Sequence, residues 1–153
     1  MSNKTSQQRK KQLQNKADKL FQEIGRMKYK SCAVCGKEYS CLHHFHPKSM
    51  AAGLRYDLEN GVPLCAGCHL RWHSASDPNI GAGMVMFMTE LCGEDWEVEL
   101  RRKREILRGI KTDIGWYKVQ IELLEAFKKA LSDIQTYEQR FIEQLPSSDN
   151  WKF

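Results

Sequence analysis

All five histidines of this 153-residue chain lie between positions 43 and 73, and of two Cys-x-x-Cys pairs one, Cys32/Cys35, precedes that stretch and the other, Cys65/Cys68, falls within it. Ligand chemistry separates the two sets. Four thiolates fit a closed tetrahedral zinc site that holds structure, whereas imidazoles with an open coordination position fit an ion that does chemistry. The pattern predicts a small module folded around metal.

Each Cys-x-x-Cys forms a turn that points two sulfurs to one side, with Gly36 just after the first pair and Gly67 inside the second. A lone pair of this kind can be a redox couple. Two of them, with 29 residues between and no thioredoxin-like strand pattern nearby, point to a structural zinc held by Cys32, Cys35, Cys65 and Cys68. Zinc would supply folding free energy that a thin core lacks. A single zinc on Cys65, Cys68, His69 and His73 is the competing arrangement, and it leaves Cys32 and Cys35 unexplained. Cys41 and Cys92 fall outside the pairs and are expected as buried small hydrophobes.

His69 and His73 are four residues apart on a helix expected from Ala66 through His73, so they project from one face and can grip one ion. His43 and His44 sit on a short strand expected within Tyr39 to Phe45, where successive side chains face opposite ways. One of the two is therefore a ligand and its neighbour is not. An imidazole left off the metal but beside it suits a general base, because a pKa of about 6.5 leaves it largely neutral at pH 7.

Charge is unevenly placed. Residues 1 to 31 carry nine Lys or Arg against two acids, although the whole chain nets only +5. Such a basic arm, with Arg9, Lys10, Lys11, Lys16 and Lys19, suits a polyphosphate partner, and a solvated helix face looks the same. No apolar run approaches the roughly 18 residues of a membrane span, and the N-terminus is polar, which excludes a signal peptide with an apolar centre and predicts a cytoplasmic protein with no membrane partner. In a reducing compartment a disulfide framework is not expected.

Four segments follow. Residues 1–30 read as a basic amphipathic helix with Leu13, Ala17, Leu20, Phe21 and Ile24 on its apolar side, and 31–76 as the metal module, with a second short strand over Gly61 to Leu64. Residues 77–145 read as a helical region and 146–153 as a tail. In the helical region, Met84, Met86 and Met88 are core filling, and Gly109 stops a charged helix. The last helix spaces Leu124, Phe127, Leu131, Ile134, Phe141 and Leu145 by threes and fours, broken at Glu138. That seam fits a second copy, a protein partner or the chain's own N-terminal helix. Asp57 and Glu59 are expected to be solvated, and Trp72 to pack.

His43-His44-Phe45-His46-Pro47, then Asn60, then Leu64-Cys65-Ala66-Gly67-Cys68-His69 and His73 resemble the HNH endonucleases of the ββα-metal group in their zinc-knuckle form, common in phage and bacterial genomes. The likeness covers residues 32 to 73. A looser one, on Lys16 to Phe21 and Gly53-Leu54-Arg55-Tyr56, is to phage NinG-type recombination proteins. The first resemblance implies an α+β chain with a ββα-metal core, a structural four-cysteine zinc site, and flanking basic and C-terminal helices. It implies a metal-dependent DNA endonuclease of phage or prophage origin, acting in a bacterial host cell. His43, His69 and His73 would hold one divalent ion (Mg2+, Mn2+, Ni2+ or Zn2+), His44 would activate water, and Asn60 would orient His44 through the intervening loop. Products would carry 5′-phosphate and 3′-hydroxyl ends. Arg9, Lys10, Lys11, Lys48, Arg55 and Arg71 are the expected DNA contacts. His46 is expected in a hydrogen-bonded support, as a phosphate contact, or in place of His43. The reading from another class is a non-catalytic zinc module that binds DNA or a recombination partner. A sequence-specific homing enzyme would need a reading head, and no DNA-reading motif beyond the basic N-terminal helix is visible.

Overall fold

The computed structural model describes residues 5–144, with side chains as far as Arg140. Helix α1 (Ser6–Lys28) begins at a capping box, in which the Thr5 hydroxyl accepts from the Gln8 amide and the Gln8 side chain accepts from the Thr5 amide. Two otherwise unpaired donors are thereby satisfied, and Arg26 and Lys28 in the last turn complement the helix dipole. Its buried stripe is Ala17, Leu20, Phe21, Ile24 and Gly25. A Cβ on Gly25 would lie 2.5 Å from the Tyr39 hydroxyl and 3.1 Å from Leu42 Cβ, so a glycine is what lets α1 lie against the first strand.

Strands β1 (Cys41–His44) and β2 (Gly61–Leu64) form an antiparallel ribbon in which His43 faces Val62 and His44 faces Gly61. The loop between them contains two single-turn 3₁₀ helices, Ala52–Leu54 and Leu58–Asn60. β2 feeds α2 (Ala66–His73), followed by α3 (Asn79–Cys92), α4 (Trp96–Ile106) and α5 (Ile114–Gln144). Helices α1 and α5 follow the apolar spacing read from the sequence, and β1, β2 and α2 fall within the segments expected for them. Glycines in the left-handed region end two of these helices, Gly93 (φ 105°) after α3 and Gly109 (φ 78°) shortly after α4.

Two apolar clusters flank the ribbon. One gathers Leu54, Val62, Leu64, Ile80, Met84, Met88, Trp96 and Leu100 around three of the knuckle cysteines. The other joins α1 and α5 through Ala17, Leu20, Phe21, Ile24, Leu42, Tyr56, Tyr117, Ile121 and Leu124. Burying a side chain of the Leu or Phe class contributes roughly 1.5–3 kcal/mol. The clusters therefore hold the ribbon from both faces without forming one continuous core.

The seam of α5 divides. Leu124 is buried and Leu131 packs on the α1 cluster, while Phe127 and Ile134 stay 37% and 54% exposed. The pairing with α1 is reinforced by Lys16–Glu125 and Lys128–Glu23 ion pairs at 2.7 and 2.6 Å. The Phe141 side chain and Leu145, along with the tail over 146–153, lie outside the described residues. Met84 and Met88 fill the core, but Met86 is 73% exposed.

Two expectations are corrected. Cys92 is exposed and Cys41 half-buried, because α3 has run past the core by its last turn and β1 begins at the rim of the ribbon. Asp57 and Glu59 are not simply solvated. Both pair with Lys103 of α4, at 3.2 and 2.7 Å, and Asp57 also caps the second 3₁₀ turn. Among the described residues no helix is long and apolar enough to cross a membrane.

Candidate metal centres and cleft

The first knuckle is a tight turn. The Cys32 amide donates to the Lys37 carbonyl, the Gly36 amide donates to the Cys32 carbonyl, and Gly36 takes φ 70°. The Ala33 amide donates to the Pro63 carbonyl, which fastens the turn to β2. The second knuckle is the start of α2, where Cys65 occupies the N-cap and its sulfur accepts from the Cys68 amide.

The four sulfurs lie within 4.8 Å of one another, with Cys35 at 3.6 Å from Cys65 and 3.5 Å from Cys68. Zn–S bonds of about 2.3 Å would set the sulfurs of a tetrahedron roughly 3.8 Å apart. The Cys68 amide draws the Cys65 thiol down to about 7, whereas burial pushes the Cys68 thiol up. A dication is what allows all four to be thiolates together, so the residues fit zinc. Arg71 donates to the Cys68 sulfur at 3.2 Å and faces Asp77 at 3.9 Å.

The imidazoles form a separate group. His43 on β1 meets His69 and His73 on α2, with ring centroids 5.0 and 5.2 Å away, and the Nε2 atoms of His69 and His73 are 3.1 Å apart. For metal–nitrogen bonds of 2.0–2.1 Å, neighbouring ligands stand about 3.0–3.4 Å apart. His43 Nε2 is buried and has no hydrogen-bond partner among the described residues, an arrangement that costs free energy unless an ion takes the lone pair. Desolvation by burial, then the neighbouring His69 and His73, hold the His43 pKa down to about 3, so it stays neutral and able to ligate. These three residues fit a divalent ion. Because Cys65 and Cys68 sit with Cys32 and Cys35, the mixed site of two cysteines and two histidines does not form.

His44 is turned away from that cluster, as strand alternation requires. Its Nε2 lies 2.7 Å from the Arg55 carbonyl and its ring stacks on Phe21, centroids 5.0 Å apart and planes at 17°. A carbonyl can only accept, so the proton sits on Nε2 and Nδ1 is left as the ring's acceptor. Burial lowers the His44 pKa to about 4, which keeps the imidazole neutral at physiological pH.

Asn60 is fully buried and spans the loop: Oδ1 accepts from the His46 amide, and Nδ2 donates to the carbonyls of His46 and Leu54. His46 itself lies apart from the three clustered imidazoles. Its Nε2 is buried without a partner among the described residues, its ring meets Phe45 edge-on, and burial followed by Arg104 and Arg101 lowers its pKa.

His43, His44, His69, His73, Trp72 and Lys48 border one cleft of about 610 Å³. Other expected DNA contacts are elsewhere. The Arg55 guanidinium is held by Asp18 at 2.8 and 3.0 Å, Arg71 faces the knuckle, and Lys10 lies over the Tyr117 ring at 5.9 Å. Arg9 and Lys11 are exposed on α1, roughly 16 Å or more along the helix from Gln22, the α1 residue at the cleft. Sequence reasoning missed the contacts of Asp18, Phe21 and Gln22 around His44. A conspicuous acid and amide inside a basic helix were the available signal.

Residues 32–75 match the family model described as HNH endonuclease. No curated protein and no solved structure matches the chain, and the looser NinG-type likeness finds no counterpart in these comparisons.

Proposed function

We propose that this chain, whose residues 32–75 match the family model described as HNH endonuclease, hydrolyses DNA phosphodiester bonds with one divalent ion and a histidine base. The observation that carries this reading is the split of adjacent imidazoles: His43 joins His69 and His73, while His44 borders the same cleft with its Nε2–H engaged and Nδ1 open to accept. That is a ligand set beside a general base.

His43, His69 and His73 would hold the ion, and when bound it supplies Lewis-acid stabilisation of charge on the phosphoryl oxygens and the leaving 3′ oxygen. His44 Nδ1 takes a proton from water as the water oxygen bonds to phosphorus. The bond from phosphorus to the 3′ oxygen breaks, that oxygen is protonated from solvent, and the ends are a 5′-phosphate and a 3′-hydroxyl. Asn60 holds the loop whose Arg55 carbonyl fixes the His44 tautomer. Lys48, exposed at the cleft, is the best placed of the expected phosphate contacts, with Arg9, Lys10 and Lys11 left to reach more distant backbone. Arg55 and Arg71 also have partners within the fold, Asp18 and the Cys68 sulfur. Cys32, Cys35, Cys65 and Cys68 would hold a zinc that ties the first knuckle to β2 and the start of α2.

Supercoiled plasmid incubated with zinc-loaded protein and Mg2+, Mn2+ or Ni2+ tests the proposal. Nicking that needs the ion and is lost in His44→Ala supports it. Absence of cleavage by folded wild type in every ion, with DNA binding retained, would establish the non-catalytic zinc module.

A further inference from the structure

Helix α1 lies outside the matched segment, yet contacts from two adjacent turns of it converge on the β1 histidines. Gln22 donates through Nε2 to the Leu42 carbonyl and accepts at Oε1 from the Leu42 amide, both at 2.9 Å. The outer edge of β1, unpaired in a two-stranded ribbon, is thereby closed at the residue before His43. Phe21, 1% exposed, stacks on the His44 ring. Asp18 makes a two-pronged pair with Arg55, Oδ1 to Nε at 3.0 Å and Oδ2 to Nη2 at 2.8 Å, and also accepts from the Tyr56 hydroxyl at 2.9 Å.

We propose that Asp18 is a positioning residue for the general base: through the Arg55 guanidinium it fixes the Arg55 carbonyl that sets the tautomer and orientation of His44. The inference rests on the nuclease reading for its catalytic consequence, but its structural content stands separately. Arg55 follows a single 3₁₀ turn closed by a long 3.3 Å bond from its own amide to the Ala52 carbonyl, a weak frame for a carbonyl that must point one way. Two grips make up for it. Asn60 holds the preceding Leu54 carbonyl from inside the domain, and Asp18 holds the Arg55 side chain from α1. The Arg55 side chain is 15% exposed, and a planar two-point pair fixes direction as well as distance. Phe21 then limits ring rotation from the other side. The N-terminal helix, basic as it is, acts first as a wall of the cleft.

The test uses the full-length, zinc-loaded protein with 15N-labelled histidine. In wild type, the His44 ring should give the signature of a single Nε2–H tautomer. Asp18→Asn should give a tautomer mixture with zinc content retained, and Asp18→Arg a larger one. Combining Asp18→Arg with Arg55→Asp should restore the wild-type signature, because the reversed pair still grips the same backbone. Cleavage should follow: kcat falls tenfold or more in Asp18→Arg with KM within twofold, and recovers in the reversed pair. A His44 signature unchanged in both folded single variants would overturn the proposal. So would a reversed pair that stays slow with a raised KM, since Arg55 would then be acting on phosphate. If wild type cleaves nothing, the nuclease reading fails, and the tautomer measurement still decides whether Asp18 sets His44.

Discussion

The two clusters share α2, which supplies Cys68 to one and His69 to the next, yet they differ in every property that decides what a metal does. The sulfurs are four, mostly buried, and close enough to saturate a tetrahedral ion. The imidazoles are three, ranging from buried His43 to exposed His73, and they border a cleft of about 610 Å³. A saturated ion has no position for substrate and contributes folding free energy; three ligands facing a cleft leave positions open. One helical turn thus separates a ligand set suited to holding the fold from one suited to chemistry.

That contrast predicts opposite phenotypes. The largest effect belongs to the sulfurs: Cys65→Ser or Cys68→Ser should lose bound zinc and the cooperative thermal transition, because apparent zinc binding of about 10–16 kcal/mol is comparable to the whole stability of a small domain. Calorimetry with metal analysis checks it, and a variant that melts like wild type would erase the distinction between the centres. His44→Ala should do the reverse, with zinc and a cooperative thermal transition kept, at a modest cost in stability from the lost Phe21 stack and Arg55 bond, and cleavage reduced by about 10²–10⁴-fold. Asn60→Ala should fall between them, since it strands two carbonyls and an amide in the interior. Denaturant titration should show about 3 kcal/mol lost, and cleavage should weaken less than in His44→Ala.

Smaller effects sharpen the comparison at its edges. Burial works to raise the Asp18 pKa, but hydrogen bonds from Arg55 and Tyr56 and the Arg55 charge outweigh it, so the folded value is depressed. A depressed carboxyl contributes stability above its unfolded pKa of about 3.9 and loses it as pH falls through the folded value. The melting-temperature gap between wild type and Asp18→Asn should therefore be constant above about pH 5 and close in stronger acid. The smallest change is expected for Arg9→Ala with Lys11→Ala: less than about threefold in cleavage at roughly 0.1 M salt, with a slightly shallower salt dependence.

Residue spacing made the site more legible than its support. His69 and His73 share a face because they are four apart on a helix, and alternation along β1 separates His43 from His44; both follow from local geometry. The paired knuckles were equally local. What could not be read are contacts between distant positions. Asp18 and Arg55 are 37 residues apart, and nothing in either neighbourhood states that they meet. Arg71 shows the same limit: on the metal helix it looks like a phosphate contact, and only the fold reveals a sulfur 3.2 Å from its guanidinium. The last helix was half legible, because a three-and-four spacing marks an apolar stripe without saying that α1 covers Leu124 and leaves Ile134 at 54% exposure.

The division of labour between thiolates and imidazoles is tested most directly by metal stoichiometry after dialysis, in wild type and in His69→Ala. One zinc per chain should survive mild chelation in both proteins, and a second, exchangeable divalent ion should be bound by wild type and lost from the variant. A single metal whose binding is abolished by His69→Ala would contradict that division, placing histidine in the structural site and leaving no separate centre for hydrolysis.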